Sequence, residues 1–233
     1  MKQKLLITGI KGFIGHHCYN YFKYNYDVIG IDNLSGLDTE YRQVPFIQDD
    51  LTFCELPDVD IVLHLAAKAG VKESWQKIEP YYVNNVLVTK RIFNHYKNSK
   101  IIYASSSSVI DLKSPYAMTK AMCEELAPKN AIGMRFFTVW GPHSRPDMLY
   151  KMACDDKLTY KTTHLRDFTH INTLLPMIKK VIEKGKEGEV YEMGEGNPQT
   201  VDDFLKEINY TKDIPFKDVK GESVYTCSKP FLL

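Results

Sequence analysis

A serine run, Ser105-Ser106-Ser107-Ser108, follows the apolar stretch Lys100-Ile101-Ile102-Tyr103-Ala104, and ten residues after Ser106 comes Tyr116, with Lys120 four further on. Ser114 is a good N-cap and Pro115 suits the first helical position, so a helix is predicted to open here with Tyr116 and Lys120 on one face. An ammonium beside a phenol favours the phenolate, the form that takes a proton as a general base. Ser106 would add a hydroxyl from the end of a strand. Taken alone, the same residues also describe a solvated helix face with an ordinary Tyr/Lys pair after a serine-rich loop.

The elements that would position this chemistry begin at the N-terminus. Lys4-Leu5-Leu6-Ile7-Thr8 is a short apolar run of buried-strand type, followed at once by Gly9-Ile10-Lys11-Gly12-Phe13-Ile14-Gly15, a G-x-x-G-x-x-G spacing. Such glycines permit a tight turn, a close approach of backbone to a pyrophosphate and close packing of the next helix, whose N-terminus faces the phosphates. The next apolar run, Asp27-Val28-Ile29-Gly30-Ile31, ends in Asp32, about 20 positions on, where a carboxylate holds a ribose 2′-hydroxyl and repels a 2′-phosphate. That favours NAD over NADP. The plainer reading of Asp32 is a turn residue before Asn33.

Val44 to Gln48 reads as a third strand ending in Asp49-Asp50-Leu51, and Asp60 to Ala67 as a fourth, with His64 a packed strand-end histidine given no chemistry. Pro80 to Phe93 has helical periodicity, Ala131 to Val139 reads as a sixth strand running into Trp140-Gly141-Pro142, Asn172 to Lys184 as a helix and Glu189 to Met193 as a strand. A turn at 194–198 leads to a short amphipathic helix from Val201 to Ile208. Strands alternating with helices imply an α/β fold: a doubly wound parallel sheet with its ligand crevice at the carboxyl ends of the strands. The division expected is a dinucleotide-binding region, 1–143 with 164–193 returning to it, and a small, shortened substrate-binding region, 144–163 and 194–233.

With 30 Lys and Arg against 29 Asp and Glu in 233 residues, a net charge of +1 gives no global field to recruit nucleic acid or a membrane surface, so the partner expected is a small molecule. The five cysteines have no C-x-x-C spacing and suggest neither a disulfide framework nor a metal site. Met1-Lys2-Gln3-Lys4 runs straight into a strand with no cleavable apolar region, and no stretch approaches the ~18 apolar residues of a membrane span. A cytoplasmic protein is expected.

With these residues in view, the chain resembles an extended short-chain dehydrogenase/reductase of the nucleotide-sugar epimerase/dehydratase family, from about Lys4 to Lys229. GIKGFIG resembles the family's NAD loop, HLAAKAGV its fourth strand end, SSSSV its serine strand, PYAMTK its tyrosine/lysine pair and RDFTHI its diphosphate-binding segment. The resemblance implies catalytic roles for Ser106 (hydroxyl), Tyr116 (base) and Lys120 (nicotinamide-ribose ligand). It implies NAD contacts at Gly9, Gly12, Phe13, Ile14, Gly15, Asp32, Asn33, Asp50, Leu51, Leu65, Ala66, Ala67, Asn85 and Phe136, besides Tyr116 and Lys120. It further implies substrate contacts at Ser107, Ser108, Thr138, Arg145 and Arg166, and no metal.

Two departures stand out. Only nine residues, Ser107 to Pro115, separate Ser106 from Tyr116, where the family usually has a longer loop, and the chain ends at Phe231-Leu232-Leu233 where relatives usually continue. Dehydratases of this kind carry Asp and Glu where this chain has Ser107 and Ser108, which points to 4-epimerisation of a UDP-sugar through a transient 4-keto sugar. Arg135 to Pro142 followed by Arg145-Pro146-Asp147-Met148 most resembles UDP-glucuronate 4-epimerases, with Arg145 and Thr138 gripping the sugar carboxylate. The alternatives are a UDP-glucose or UDP-N-acetylhexosamine 4-epimerase, a UDP-glucuronate decarboxylase, a reductase that releases its product, and a non-enzymatic scaffold that binds NAD or a nucleotide sugar. Relatives of this kind also imply a homodimer through helices at about Pro80 to Lys97 and Pro115 to Ala127, with Val83, Val86 and Ile92 on the shared stripe; burial within the chain's own subunit is the competing account.

Overall fold

Alternation inside the apolar runs builds the sheet. In β1 (Lys4–Thr8), Leu5 and Ile7 enter the core on one face and Leu6 that on the other, and β4 (Ile61–His64) repeats the pattern with Ile61 and Leu63 against Val62. A strand apolar on both faces needs cover on both. The computed structural model, which describes residues 1–36, 43–219 and 222–233, supplies it. One face is covered by α1 (Phe13–Phe22) and, later in the chain, the helix Ile171–Lys184; the other is covered by the helix Val88–His95.

Between these come β2 (Asp27–Asp32), β3 (Ile47–Gln48), α2 (Val71–Ser74) and α3 (Ile78–Tyr81). The last runs through a π-helical turn, Tyr82–Leu87, into α4 (Val88–His95). Then follow β5 (Lys100–Ser106), a 3₁₀ turn Ser107–Ile110, α5 (Pro115–Glu125), β6 (Ala131–Phe136), β7 (Thr138–Trp140), α6 (Leu149–Cys154), β8 (Leu165–His170), α7 (Ile171–Lys184), β9 (Val190–Met193), β10 (Pro198–Thr200) and α8 (Val201–Glu207).

Seven strands form a parallel sheet in the order β3-β2-β1-β4-β5-β6-β9. The order reverses between β1 and β4, where open α/β sheets hold their ligands. A second sheet, β10-β8-β7, packs with α6 and α8 around Phe168 and Phe204, whose rings stack 3.9 Å apart.

The expected fold class is present, with four local differences. The third strand is two residues long, because Val44 to Phe46 find no ladder partner. The sixth ends at Phe136, and Thr138–Trp140 crosses to the small sheet to pair with β8. For the same reason Leu165–His170 lies in the small sheet, whereas α7 and β9 return to the large one. Val86 and Ile92, expected on a shared stripe, are both buried within this subunit, Ile92 in the cluster that holds Val62 and Ile101.

Candidate active site

The glycine loop is held by what a side chain would meet. Gly9 has φ +68° and lies so close to the β4 loop that a Cβ would stand 2.8 Å from the Ala66 backbone; a Cβ on Gly15 would stand 2.2 Å from the Gly9 carbonyl oxygen. No side chain caps α1 and no acidic residue stands in its first turn, so its free N–H groups face the loop. At the end of β2, Asp32 accepts the Lys11 N–H at 2.9 Å and the Leu34 N–H at 2.8 Å.

On the other side of the switch point, Thr8 Oγ1 accepts the Leu65 and Ala66 N–H groups, both at 3.2 Å, and shares a hydrogen bond with His64 Nδ1 at 2.7 Å. His64 Nε2 in turn meets Thr89 Oγ1 at 2.9 Å. Burial pushes the His64 pKa down to about 3, with the Lys120 charge adding to the effect. This histidine is neutral structure under the cleft, as its sequence context implied.

A cleft of about 300 Å³ opens over these elements. Of the residues expected at a cofactor, Gly9, Gly12, Phe13, Asp32, Asn33, Asp50, Leu51, Leu65, Ala66 and Ala67 line it, and Arg145 joins them. Asp50 is fixed there by Asn33 Nδ2 at 2.9 Å and Thr52 Oγ1 at 2.6 Å; burial raises its pKa, but these hydrogen bonds outweigh it and hold the carboxyl below the usual range. Ile14 instead packs into the core and Gly15 serves the helix contact. Asn85, fully buried, holds the Lys68 backbone N–H at 2.8 Å and carbonyl at 3.0 Å and donates to Thr119 Oγ1 at 3.0 Å, so it ties the β4 loop to α5. Phe136 ends β6 directly opposite Ser106.

The three residues expected at the chemistry, Ser106, Tyr116 and Lys120, stand where β5 meets α5. Ser114 caps α5 by accepting the Ala117 N–H at 3.2 Å, with Pro115 at the first position. Tyr116 and Lys120 follow on successive turns. Lys120, buried, donates to the Ala104 carbonyl at 2.9 Å, two residues before Ser106. Ser106 Oγ accepts the Ser108 N–H at 3.2 Å and donates to Ser108 Oγ at 3.1 Å. The edge of the Tyr81 ring meets Tyr116 at 6.3 Å, and the Tyr81 hydroxyl donates to the Ala69 and Gly70 carbonyls at 3.1 and 2.9 Å.

Arg145 lines the cleft, whereas Ser106, Tyr116 and Lys120 are not among the residues that line it. The Arg145 guanidinium lies near Gly70 and within electrostatic reach of the Tyr116 and Tyr81 hydroxyls, and Asp147 takes it in a fork at 2.9 and 3.1 Å. Burial works against its charge, but Asp147 more than offsets this and keeps the pKa above the usual arginine value.

Arg166 is placed differently. It is engaged by the Ser223 carbonyl, by His164 Nδ1 at 2.8 Å and by Glu222 at 3.3 Å, and burial lowers its pKa despite Glu222. Arg166 and Thr138, on neighbouring strands of the small sheet, are not among the cleft-lining residues. Sequence reasoning missed Lys68, Glu73, Lys77 and Asn84, which also line the cleft; only Lys68, adjoining the Ala66-Ala67 strand end, carried a local signal.

The fold, the glycine turn and the acid at the end of β2 are those of a dinucleotide-binding protein. The model of the NAD dependent epimerase/dehydratase family matches residues 5–194; the chain belongs to that family, and its cofactor is NAD. It is 32% identical to the uncharacterized UDP-glucose epimerase YtcB of Bacillus subtilis (strain 168), over 91% of this chain and 82% of the relative. It is 30% identical to UDP-glucuronate 4-epimerase 6 of Arabidopsis thaliana, over 73% of this chain and 49% of the relative. Among solved structures it is similar to the UDP-glucuronic acid 4-epimerase from Bacillus cereus in complex with UDP-glucuronic acid and NAD, with a TM-score of 0.84 and 31% identity over 97% of this chain and 90% of the other.

The loop fits that cofactor, since Gly9 and Gly12 bring backbone without side chains to the cleft at the α1 N-terminus, and Asp32 and Asp50 line it with acceptors. No helix among the described residues is long and apolar enough to cross a membrane.

Proposed function

We propose that the protein is a UDP-sugar 4-epimerase that interconverts UDP-glucuronate and UDP-galacturonate. The observation that carries this reading is Arg145, a guanidinium that lines the cleft and sits near Tyr116. A sugar carboxylate would take the fork now held by Asp147, a charge-for-charge exchange of planar bidentate partners.

In the proposed reaction Tyr116 removes the proton from the sugar 4-hydroxyl while Ser106 hydrogen-bonds the same oxygen, and Lys120, anchored on Ala104, orients the cofactor ribose. NAD, when bound, supplies the hydride acceptor and returns the hydride. The sugar turns over, its carbon 4 is reduced on the opposite face, and Tyr116 gives its proton back to the 4-oxygen. Ser107 and Ser108 bring hydroxyls where an elimination would need carboxyl groups, so the 4-keto sugar has no acid/base pair to carry it elsewhere. A fixed guanidinium on the sugar carboxylate also opposes loss of carbon dioxide.

The test is a panel of UDP-sugars given to the purified protein, with products separated. UDP-galacturonate from UDP-glucuronate is expected; a preference for neutral UDP-hexoses, or release of a UDP-pentose, overturns the assignment in favour of a UDP-glucose-type epimerase or a decarboxylase. Arg145→Ala should lower turnover of UDP-glucuronate roughly 10- to 100-fold, the worth of a charge-assisted hydrogen-bonded pair, and that of UDP-glucose far less.

We further propose a cytoplasmic homodimer. The five cysteines are all unpaired, which suits a reducing compartment. The exposed apolar residues Tyr82, Leu87, Met118, Met122 and Leu126 offer the joining surface in place of Val86 and Ile92. A monomer mass by light scattering at micromolar concentration overturns the dimer.

A further inference from the structure

One turn beyond Lys120, the helix α5 is keyed to the sheet a second time. Glu124 takes Arg135 in a fork, Nε to Oε1 at 2.9 Å and Nη2 to Oε2 at 2.6 Å, and Ser105 Oγ donates to the same Oε1 at 2.5 Å. Arg135 on β6 lies directly opposite Ser105 on β5. The Glu124 side chain is 13% exposed, and the next carboxylate to Arg135, Glu192, stands at 4.0 Å. Three successive residues of β5 therefore meet the site machinery: Ala104 accepts Lys120, Ser105 donates to Glu124, and Ser106 carries the hydroxyl.

We infer that Glu124 is a positioning residue, which acts through α5 to set Tyr116 and Lys120 against Ser106. The inference rests on the catalytic roles proposed above. Ala117 packs α5 by non-directional contacts that tolerate small slides and rotations, and Thr119 and Cys123 bond it to Asn85 on the π-helical turn, whereas Lys120 and Glu124 grip the sheet itself. A bidentate carboxylate–guanidinium pair with a short hydroxyl bond fixes both the height and the rotation of the helix. Reacting groups displaced by about 1 Å lose on the order of 10²-fold in rate. Burial of the apolar side chains holds α5 in the fold without Glu124, so the expected loss is one of alignment.

Glu124→Gln keeps the size and removes the charge that holds Arg135. The expected result is a kcat lower by about tenfold or more, with KM for the UDP-sugar and bound NAD content within about twofold of the wild type. Glu124→Asp, which retains the charge on a shorter arm, should recover part of the loss. If Glu124→Gln does not accumulate as folded protein, Ser105→Ala, which deletes one hydrogen bond and leaves the Glu124–Arg135 pair, should lower kcat several-fold in the same pattern. A second readout needs no substrate: amide hydrogen exchange across 115–125 should quicken at Tyr116 to Lys120 in Glu124→Gln. Wild-type protein that turns over no UDP-sugar defeats the proposed function and leaves the exchange result to decide the helix alignment. A kcat within twofold in both variants, a KM or NAD content that changes by the same factor as kcat, or unchanged exchange overturns the inference.

Discussion

The two walls of the cleft are made in different ways. The cofactor wall is built from exclusion: Gly9 and Gly15 leave no room for a Cβ, and Asp32 is tied to backbone N–H groups of its own neighbourhood. The side proposed for the substrate is built from charge pairs: Arg145, which lines the cleft, is held by Asp147, and outside the cleft lining, in the small sheet, Arg166 is held by Glu222 and Ser223. The adjoining Asp167, fully buried, accepts from Ser228 Oγ at 2.6 Å and from the Glu195 and Gly196 N–H groups at 3.0 Å. A steric wall has no alternative state, so a change in it is felt at once. A charge pair has one, since an incoming anion can replace the resident carboxylate, and that makes the substrate side exchangeable and salt-sensitive.

The largest effect is expected at the proposed base. Tyr116→Phe should lower kcat by the 10²- to 10⁴-fold typical of a lost general base while NAD content and melting temperature hold; near-wild-type turnover would remove Tyr116 from the mechanism. Next is Gly15→Ala. Its Cβ at 2.2 Å from the Gly9 carbonyl oxygen must push α1 off the loop, so purified protein should carry little NAD and lose roughly 1 to 3 kcal/mol of stability; full cofactor content, assayed after denaturation, would mean that the wall is softer than described. Asp32→Ala tests the rim of the same wall and should weaken NAD about tenfold, the worth of a hydrogen bond to a charged group, without altering the sugar preference.

The last effect concerns acid. Below pH 6.5 the unfolded chain protonates His64 while the folded chain keeps it neutral down to about 3, so stability falls as the pH falls through that window. His64→Gln removes this contribution. Denaturant midpoints at pH 7 and pH 5 should then differ less in the variant than in the wild type, by up to about 2 kcal/mol. An equal acid loss in both would place the sensitivity elsewhere.

What was legible in the sequence was what is encoded locally. Glycine spacing, an acid at a strand end, alternating apolar residues and the Ser114-Pro115 start of α5 each act within a few residues. What was not legible depends on partners far along the chain. Nothing near Phe137 tells that Thr138–Trp140 leaves the main sheet, because the reason is β8, some thirty residues later. The inward turn of Ile92 is set by the sheet it covers, and the occupation of Arg166 by residues 222 and 223 is set by a distant segment. Glu124 carried no motif at all; its meaning comes from Arg135 and Ser105.

The π-helical turn Tyr82–Leu87, closed by a Val88 N–H that reaches back to the Val83 carbonyl, contains one residue more than an α-helix of that length needs. Counted in chain length, it is a one-residue insertion, and a one-residue deletion would erase it. The helix would then run on as ordinary α, but the turns on the N-terminal side of the deletion would rotate by about 100° relative to α4. Tyr81 would leave the Gly70 carbonyl and the Tyr116 ring, while α4 kept its place on the sheet. The segment would thus be more tolerant of almost any substitution at its exposed positions than of losing a single residue.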